Sequence, residues 1–203
     1  MSGLRERKKE ARRTALSWAA VRLAVEHGFD AVKNEDIAEA VGVSPRTFNN
    51  YFSSKAEAIA FRYLERSLRV ADELRHGPPD EPLWEAIDRA VLRQLQPGPE
   101  VGHLPPQEPP DWVAGLRVML AEPALEVEML RASKIAEREL AAAIAERTGT
   151  DRGTDLYPGL VAASVMAAYN VAIELFVQGD AREPMEVLLP RALDMLAAGL
   201  PRP

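Results

Sequence analysis

Residues 34–55 read NEDIAEAVGVSPRTFNNYFSSK, and this stretch decides the fold. Ile37, Ala38, Val41, Val43 and Phe48 recur at spacings that pack two short helices against each other and against a helix before them. Between the two stands Val41-Gly42-Val43, where Gly42 can take a backbone conformation that a side chain resists. The first helix is expected over about 34–41. Ser44 is a good N-cap and Pro45 a good first-turn residue, so the second starts there and ends near Phe52. Two short helices joined so tightly have the layout of a helix-turn-helix, whose second helix enters the DNA major groove.

The chemistry on that second helix supports DNA as the partner. Arg46, Thr47, Asn49, Asn50 and Tyr51 fall on its outer face and start. Arg can pair bidentately with guanine and Asn with adenine. Thr47 and Tyr51 can donate to phosphates. Lys55, at the start of the next helix, can meet a phosphate as a point charge, helped by that helix's N-terminal amides. An ordinary helical hairpin is the competing reading, and it has no need of such a face.

Charge is distributed to match. The chain has 203 residues, 25 Lys/Arg and 31 Asp/Glu, a net charge of −6. Residues 1–55 hold 10 Lys/Arg against 7 Asp/Glu, leaving 15 against 24 for the rest. The excess is concentrated in Arg5, Arg7, Lys8, Lys9, Arg12 and Arg13, a solvated arm or a set of backbone contacts. A small module facing nucleic acid, joined to a larger acidic body with another task, fits this asymmetry. With no Cys, a disulfide framework, a thiolate zinc site and a Cys nucleophile are excluded, and the composition fits a reducing, cytoplasmic setting. His27, His76 and His103 lack zinc spacing. No phosphate loop, nucleophile elbow or His-Glu-x-x-His pattern appears, so no enzyme is expected.

Around this segment the chain reads as helix nearly throughout, an all-α protein. A first helix runs from about Arg5 to Gly28, with Leu16, Ala19, Ala20, Leu23 and Ala24 at helical spacing. A fourth, capped by Ser53 and running to about Arg75, connects to the rest. His76-Gly77-Pro78-Pro79-Asp80 is a strong breaker. The expected division is therefore 1–55 for DNA binding, about 54–75 as connecting helix, and 76–203 as a larger helical domain. That domain is expected to hold helices at 82–96, 111–121, 123–148, 154–178 and 184–198, with a Pro/Gly-rich loop at 97–110. The 156–178 stretch is long enough to be mistaken for a membrane span. Its Ala content, Pro158, Asn170 and Glu174 favour a buried helix, and no membrane partner is expected.

The residues of the central segment resemble the TetR family of bacterial transcriptional repressors. The resemblance is carried by Ala24, Gly28 and Phe29, then Ile37-Ala38, Gly42-Val43-Ser44, Thr47-Phe48, Asn49-Asn50-Tyr51-Phe52 and Lys55. It implies that Ser44, Pro45, Arg46, Thr47, Asn49, Asn50 and Tyr51 carry the DNA contacts, with Lys55 on a phosphate. The chain departs from the pattern at Asn49, often Tyr, and at Lys33, commonly the capping Thr. Asn34 can cap the helix instead, and Lys33 can still reach a phosphate. Further on, Glu122-Pro123-Ala124-Leu125 and Ala145-Glu146-Arg147-Thr148-Gly149 resemble an actinobacterial-type subgroup, some of whose members sense acyl-CoA-like ligands. The resemblance implies no cofactor but an unidentified small-molecule effector, acyl-CoA-like or otherwise apolar.

Asn170, a polar group within an apolar helix, could bond a ligand, stabilise a dimer seam or face water. Trp112, Leu116, Met119 and Leu120 form a helical stripe, and Met129, Met166, Tyr169 and Ile173 extend the apolar set. Plain core is the first reading for them; a cavity in this domain would draw its lining from the same residues. Ala162, Ala163, Ser164, Ala167, Ala168 and Ala172 permit close helix approach. With Val187, Leu188, Leu193, Leu196 and Leu200, they point to a homodimer through helices about 154–178 and 184–198. The sequence is thus expected to encode a ligand-responsive repressor that binds a near-palindromic double-stranded operator. The alternative is a sequence-specific or architectural DNA-binding protein without a small ligand.

Overall fold

A computed structural model describes residues 2–95, 109–180 and 182–200. The helices are α1 (Ser2–His27), α2 (Asn34–Ala40), α3 (Pro45–Asn49), α4 (Lys55–His76), α5 (Leu83–Leu95), α6 (Pro109–Leu120), α7 (Pro123–Thr148), α8 (Leu156–Gln178) and α9 (Met185–Ala197). No strand occurs among the described residues. The fold is all-α, with an N-terminal helix-turn-helix followed by a helical C-terminal region. The expected loop at 97–110 falls, up to residue 108, outside the described residues.

The chain forms two compact units, Met1–Tyr63 with Pro106–Ala132, and Leu64–Pro105 with Ser133–Pro203. The division falls inside α4 and α7 and not at the His76–Asp80 breaker, because α6 belongs with α1. Gly115 permits this: a Cβ there would lie 2.6 Å from both Val25 Cγ1 and the Val25 carbonyl oxygen. In the first unit, Leu16, Ala20 and Ala24 of α1 are buried with Ile37, Ala38, Phe48, Phe52 and Ile59. A fully buried Phe in such a core typically costs about 3–5 kcal/mol to truncate to Ala.

In the second unit, α9 packs on α8 and α5, burying Leu188, Leu189 and Leu193 with Ala86, Ile87, Ala90, Val161 and Val165. Arg147 of α7 donates to the carbonyls of Leu74 (3.2 Å), Pro78 and Glu81 (2.7 Å). It thereby satisfies an acceptor near the end of α4 that has no helical partner. Arg75 of α4 reaches Glu139 at 3.2 Å, and Arg89 of α5 pairs with Glu81 at 2.8 Å. Other carboxylates pair with an Arg or Lys one turn away, as in Arg22–Glu26, Arg131–Glu128 and Lys134–Glu137.

Several helix ends differ from expectation, each for a local reason. The N-cap of α2 is Lys33, not Asn34. Lysine has no acceptor, but Asp36 at the third position accepts from the Lys33 N–H at 2.8 Å, half of a capping box. Ser54, not Ser53, caps α4: its hydroxyl accepts from Glu57 N–H at 3.1 Å. Ser53 instead donates its N–H and hydroxyl to the Glu57 carboxylate, each at 2.7 Å. The helix α3 stops at Asn49, short of Phe52, because the Asn50 and Tyr51 N–H groups close tight turns on Thr47 and Phe48. Towards the chain start, α1 begins at Ser2, ahead of Arg5.

Among the described residues, α8 is the one helix long and apolar enough to cross a membrane. One of its faces is buried, through Val161, Ala162, Val165, Met166, Ala168 and Ala172. This makes it a core helix on that side. The opposite side is not buried as expected: Leu156, Leu160, Val171 and Leu175 are each at least half exposed, with Ala163, Ala167 and Asn170 also exposed.

Candidate nucleic-acid interface

The turn between α2 and α3 is built entirely from backbone and small side chains. Gly42 has φ +69°. Its N–H bonds the Glu39 carbonyl at 2.9 Å, and the Val43 N–H bonds that of Ala38 at 3.0 Å. This is a Schellman closure of α2, and it requires the left-handed residue that Gly42 supplies. Two residues later Ser44 opens α3, its hydroxyl accepting from Thr47 N–H at 3.1 Å and lying 2.9 Å from the Thr47 hydroxyl. Pro45 takes the first helical position, where no N–H is needed.

With five residues, α3 has a single buried anchor, Phe48, at 0% exposure. Pro45, Arg46, Asn49 and Asn50 are exposed, while Thr47 and Tyr51 are half-buried. The structure therefore presents one guanidinium and two carboxamides on a short helix, a donor and acceptor set suited to base edges. Thr47 shares its hydroxyl with the cap. Lys33 is exposed at the start of α2, its ammonium available for charge contact.

Lys55 is placed differently from a plain phosphate ligand. Its ammonium donates to the backbone carbonyls of Phe29 and Val32, the latter at 2.9 Å. It also lies 4.2 Å from the centroid of the Phe29 ring. Lys55 thus ties the start of α4 to the chain between α1 and α2. The nearby end of α4 already holds a carboxylate of its own, Glu57, which leaves that terminus poorer as an anion site.

Arg13 was grouped by sequence with the basic arm, but the structure separates it from that arm. Arg7, Lys8 and Arg12 are exposed. The Arg13 guanidinium lies 4.0 Å from the Phe61 ring centroid and 5.5 Å from that of Phe52. A signal for this was present: positions 13, 17, 20 and 24 form one helical stripe, and the last three are buried.

The proposed pocket residues fall in both units. Leu116, Met119, Leu120 and Met129 belong to the first, and Met166, Tyr169, Asn170 and Ile173 to the second. Met119 and Met166 are buried, and Leu116, Leu120, Met129, Tyr169 and Ile173 are half-buried. Asn170 is exposed on the apolar side of α8, which takes it out of an interior lining. The side chain of Trp112 lies outside the described residues. Among the described residues, no group of His, Cys, Asp and Glu is arranged to hold a metal ion.

Comparison with known proteins agrees with this geometry. Residues 18–59 match the family profile described as bacterial regulatory proteins, tetR family, and residues 81–201 match that of the MftR C-terminal domain. The chain is 33% identical over 201 residues to the HTH-type transcriptional regulator TcmR of Streptomyces glaucescens, covering 96% of this chain and 86% of the relative. A TetR-family regulator from Rhodococcus sp. shares the fold at a TM-score of 0.59 and 20% identity, over 94% of this chain and 98% of its own. The fatty acid degradation regulator FadR from Bacillus halodurans does so at 0.58 and 17%, over 95% and 97%. With a helix-turn-helix at one end, a matching C-terminal domain at the other and a relative spanning nearly its whole length, the chain belongs to the TetR family of DNA-binding transcriptional regulators.

Proposed function

We propose that the protein is a repressor that binds a near-palindromic operator as a homodimer and leaves it when a small-molecule effector binds. The observation that carries this reading is the combination of one five-residue α3 per chain with an exposed apolar stripe on α8. A single α3 offers Arg46, Asn49, Asn50 and a few phosphate donors, enough for a few base pairs. Selective binding among many competing sites needs more contacts, and a second copy supplies them. The α8 stripe of Leu160, Ala163, Ala167, Val171 and Leu175, with Val187 and Met195 of α9, suits a two-fold helical interface. A dimer then spaces two α3 helices roughly 34–36 Å apart, or by a multiple of that, to read two half-sites.

Base reading is assigned to Arg46, Asn49 and Asn50, and phosphate contact to Lys33, Ser44, Thr47 and Tyr51. The effector is apolar or acyl-CoA-like, and within the second unit the buried Met166 is the first candidate to meet it. Its coupling to DNA is reciprocal, so operator must weaken effector binding by the factor with which effector weakens operator binding. The setting is cytoplasmic, where the DNA is.

Selection of sites from random duplex DNA, followed by sedimentation of the purified complex, tests this reading. One enriched near-palindrome bound by two chains is the expected result. Salt-sensitive binding with no enriched site would overturn it in favour of an architectural role.

A further inference from the structure

We infer that Arg13 is a positioning residue for operator recognition: it sets the orientation of α3 from behind, through stacked aromatic rings, and does not contact DNA phosphates. The inference rests on the operator-binding reading above. Phe48 is the one buried side chain of α3, so whatever holds its ring decides where Arg46, Asn49 and Asn50 point. Phe48 meets Phe52 with ring centroids 5.9 Å apart, and Phe52 meets Phe61 at 5.5 Å. Arg13 covers the far end of this row, 4.0 Å from the Phe61 centroid and 5.5 Å from that of Phe52.

The same geometry draws the charge inward, for Arg13 is half-buried where its neighbour is not. Arg13 Nε is buried and donates to no acceptor, and Arg13 makes no ion pair among the described residues. A guanidinium held this way is attracted to the faces of the rings, and that attraction has a direction. It favours ring tilts that present a face to the cation, where an aliphatic side chain would let the rings turn. All four residues lie in one compact unit, on α1, α3, α4 and the turn between α3 and α4. Arg12, the neighbouring residue, is exposed. The basic arm therefore contains two kinds of cation, exposed ones that face water and a half-buried one held against aromatic rings.

The test measures dissociation constants across a salt series for full-length protein, on the selected operator and on a scrambled duplex of equal length. In folded Arg13→Met, operator binding is expected to weaken on the order of tenfold, the low end of the effect of one wrong base pair. Binding to the scrambled duplex and the salt slope are expected to stay as in the wild type. Phe61→Leu, which keeps the charge and removes the ring, is expected to reproduce the loss and covers the case in which Arg13→Met does not fold. A phosphate ligand behaves otherwise: both duplexes weaken alike, the salt slope falls by about 0.9, and Phe61→Leu leaves operator affinity unaltered. Those results overturn the inference, as does a lowered melting temperature with an unchanged operator-to-scrambled ratio. A wild-type protein that selects no operator overturns the functional reading first, before any variant is made, and the inference with it.

Discussion

The exposed faces of α3 and α8 are opposites in chemistry. Solvent meets Arg46, Asn49 and Asn50 on α3, side chains rich in directed hydrogen-bonding groups. On α8 it meets Leu156, Leu160, Val171 and Leu175, side chains with none. Polar groups lose nothing by staying in water until a partner of matching pattern arrives. An apolar stripe is unfavourable in water, at roughly 25 cal/mol per Å² left uncovered. The first face fits a partner that comes and goes, as an operator does. The second fits one that stays, as a second subunit does. Local order is spent accordingly: α3 is five residues held by one Phe, and α8 is 23 residues packed along its length.

Four substitutions test this contrast between the two faces. Val171→Glu places a charge in the middle of the α8 stripe. It should give a monomer by sedimentation and lower operator affinity roughly 10²–10⁴-fold, the factor gained by linking two binding events. An intact dimer carrying this change would remove α8 from the interface. On the polar face, Asn50→Ala should cost about 1–3 kcal/mol on the operator and relax selectivity at one base pair, read by repeating the site selection. Equal loss on every sequence would instead make Asn50 a backbone contact.

Lys55→Met probes the frame beneath that face. Two bonds to the Phe29 and Val32 carbonyls disappear, so thermal unfolding should report a loss of about 1–2 kcal/mol. An unchanged melting temperature with a smaller salt slope would return Lys55 to the phosphates.

The smallest effect is expected away from both faces, at Asp88 of α5. Burial, and then the nearby Asp194 carboxylate, raise its pKa above the ordinary 3.8, and Asp88 Oδ1 has no hydrogen-bond donor. The folded state therefore holds this proton more tightly than the unfolded chain. Below the ordinary value the group carries no penalty; as pH rises through the folded value, stability is lost and stays lost at neutrality. Asp88→Asn should raise the melting temperature slightly at pH 7 and not at pH 3. Glu81 has the opposite trend. Its bond to Arg89 is the first cause that lowers its pKa, so its contribution is present at neutrality and fades as acid protonates it.

Legibility followed the range of the interactions. The α2–turn–α3 segment was readable because its determinants lie within 22 residues: Gly42 for the left-handed turn, Ser44 and Pro45 for the helix start, Phe48 for the anchor. The caps were misread by one residue at Asn34 and Ser53. Serine and asparagine are both good caps in isolation, and the choice fell to Asp36 and Glu57 three residues into each helix. Asn170 illustrates a different limit. Its place in an apolar helix leaves a ligand contact, a dimer seam and water equally open, because periodicity does not say which of two apolar faces packs against α9.

What the sequence alone determined is the helical class, the helix-turn-helix and the polar face of α3. These depend on φ preferences, capping side chains and the helical period, all of which act between near neighbours. The fate of individual charges and faces was left to long-range packing. Arg13 and Lys55 belong to the same basic inventory as Arg12 and Lys33. Phe61 stands 48 residues from Arg13, and Phe29 26 residues from Lys55. The rings and carbonyls that hold these cations come together only when α1, α3 and α4 pack. In the second unit, one apolar stripe of α8 is left uncovered, because α9 covers a single side of it.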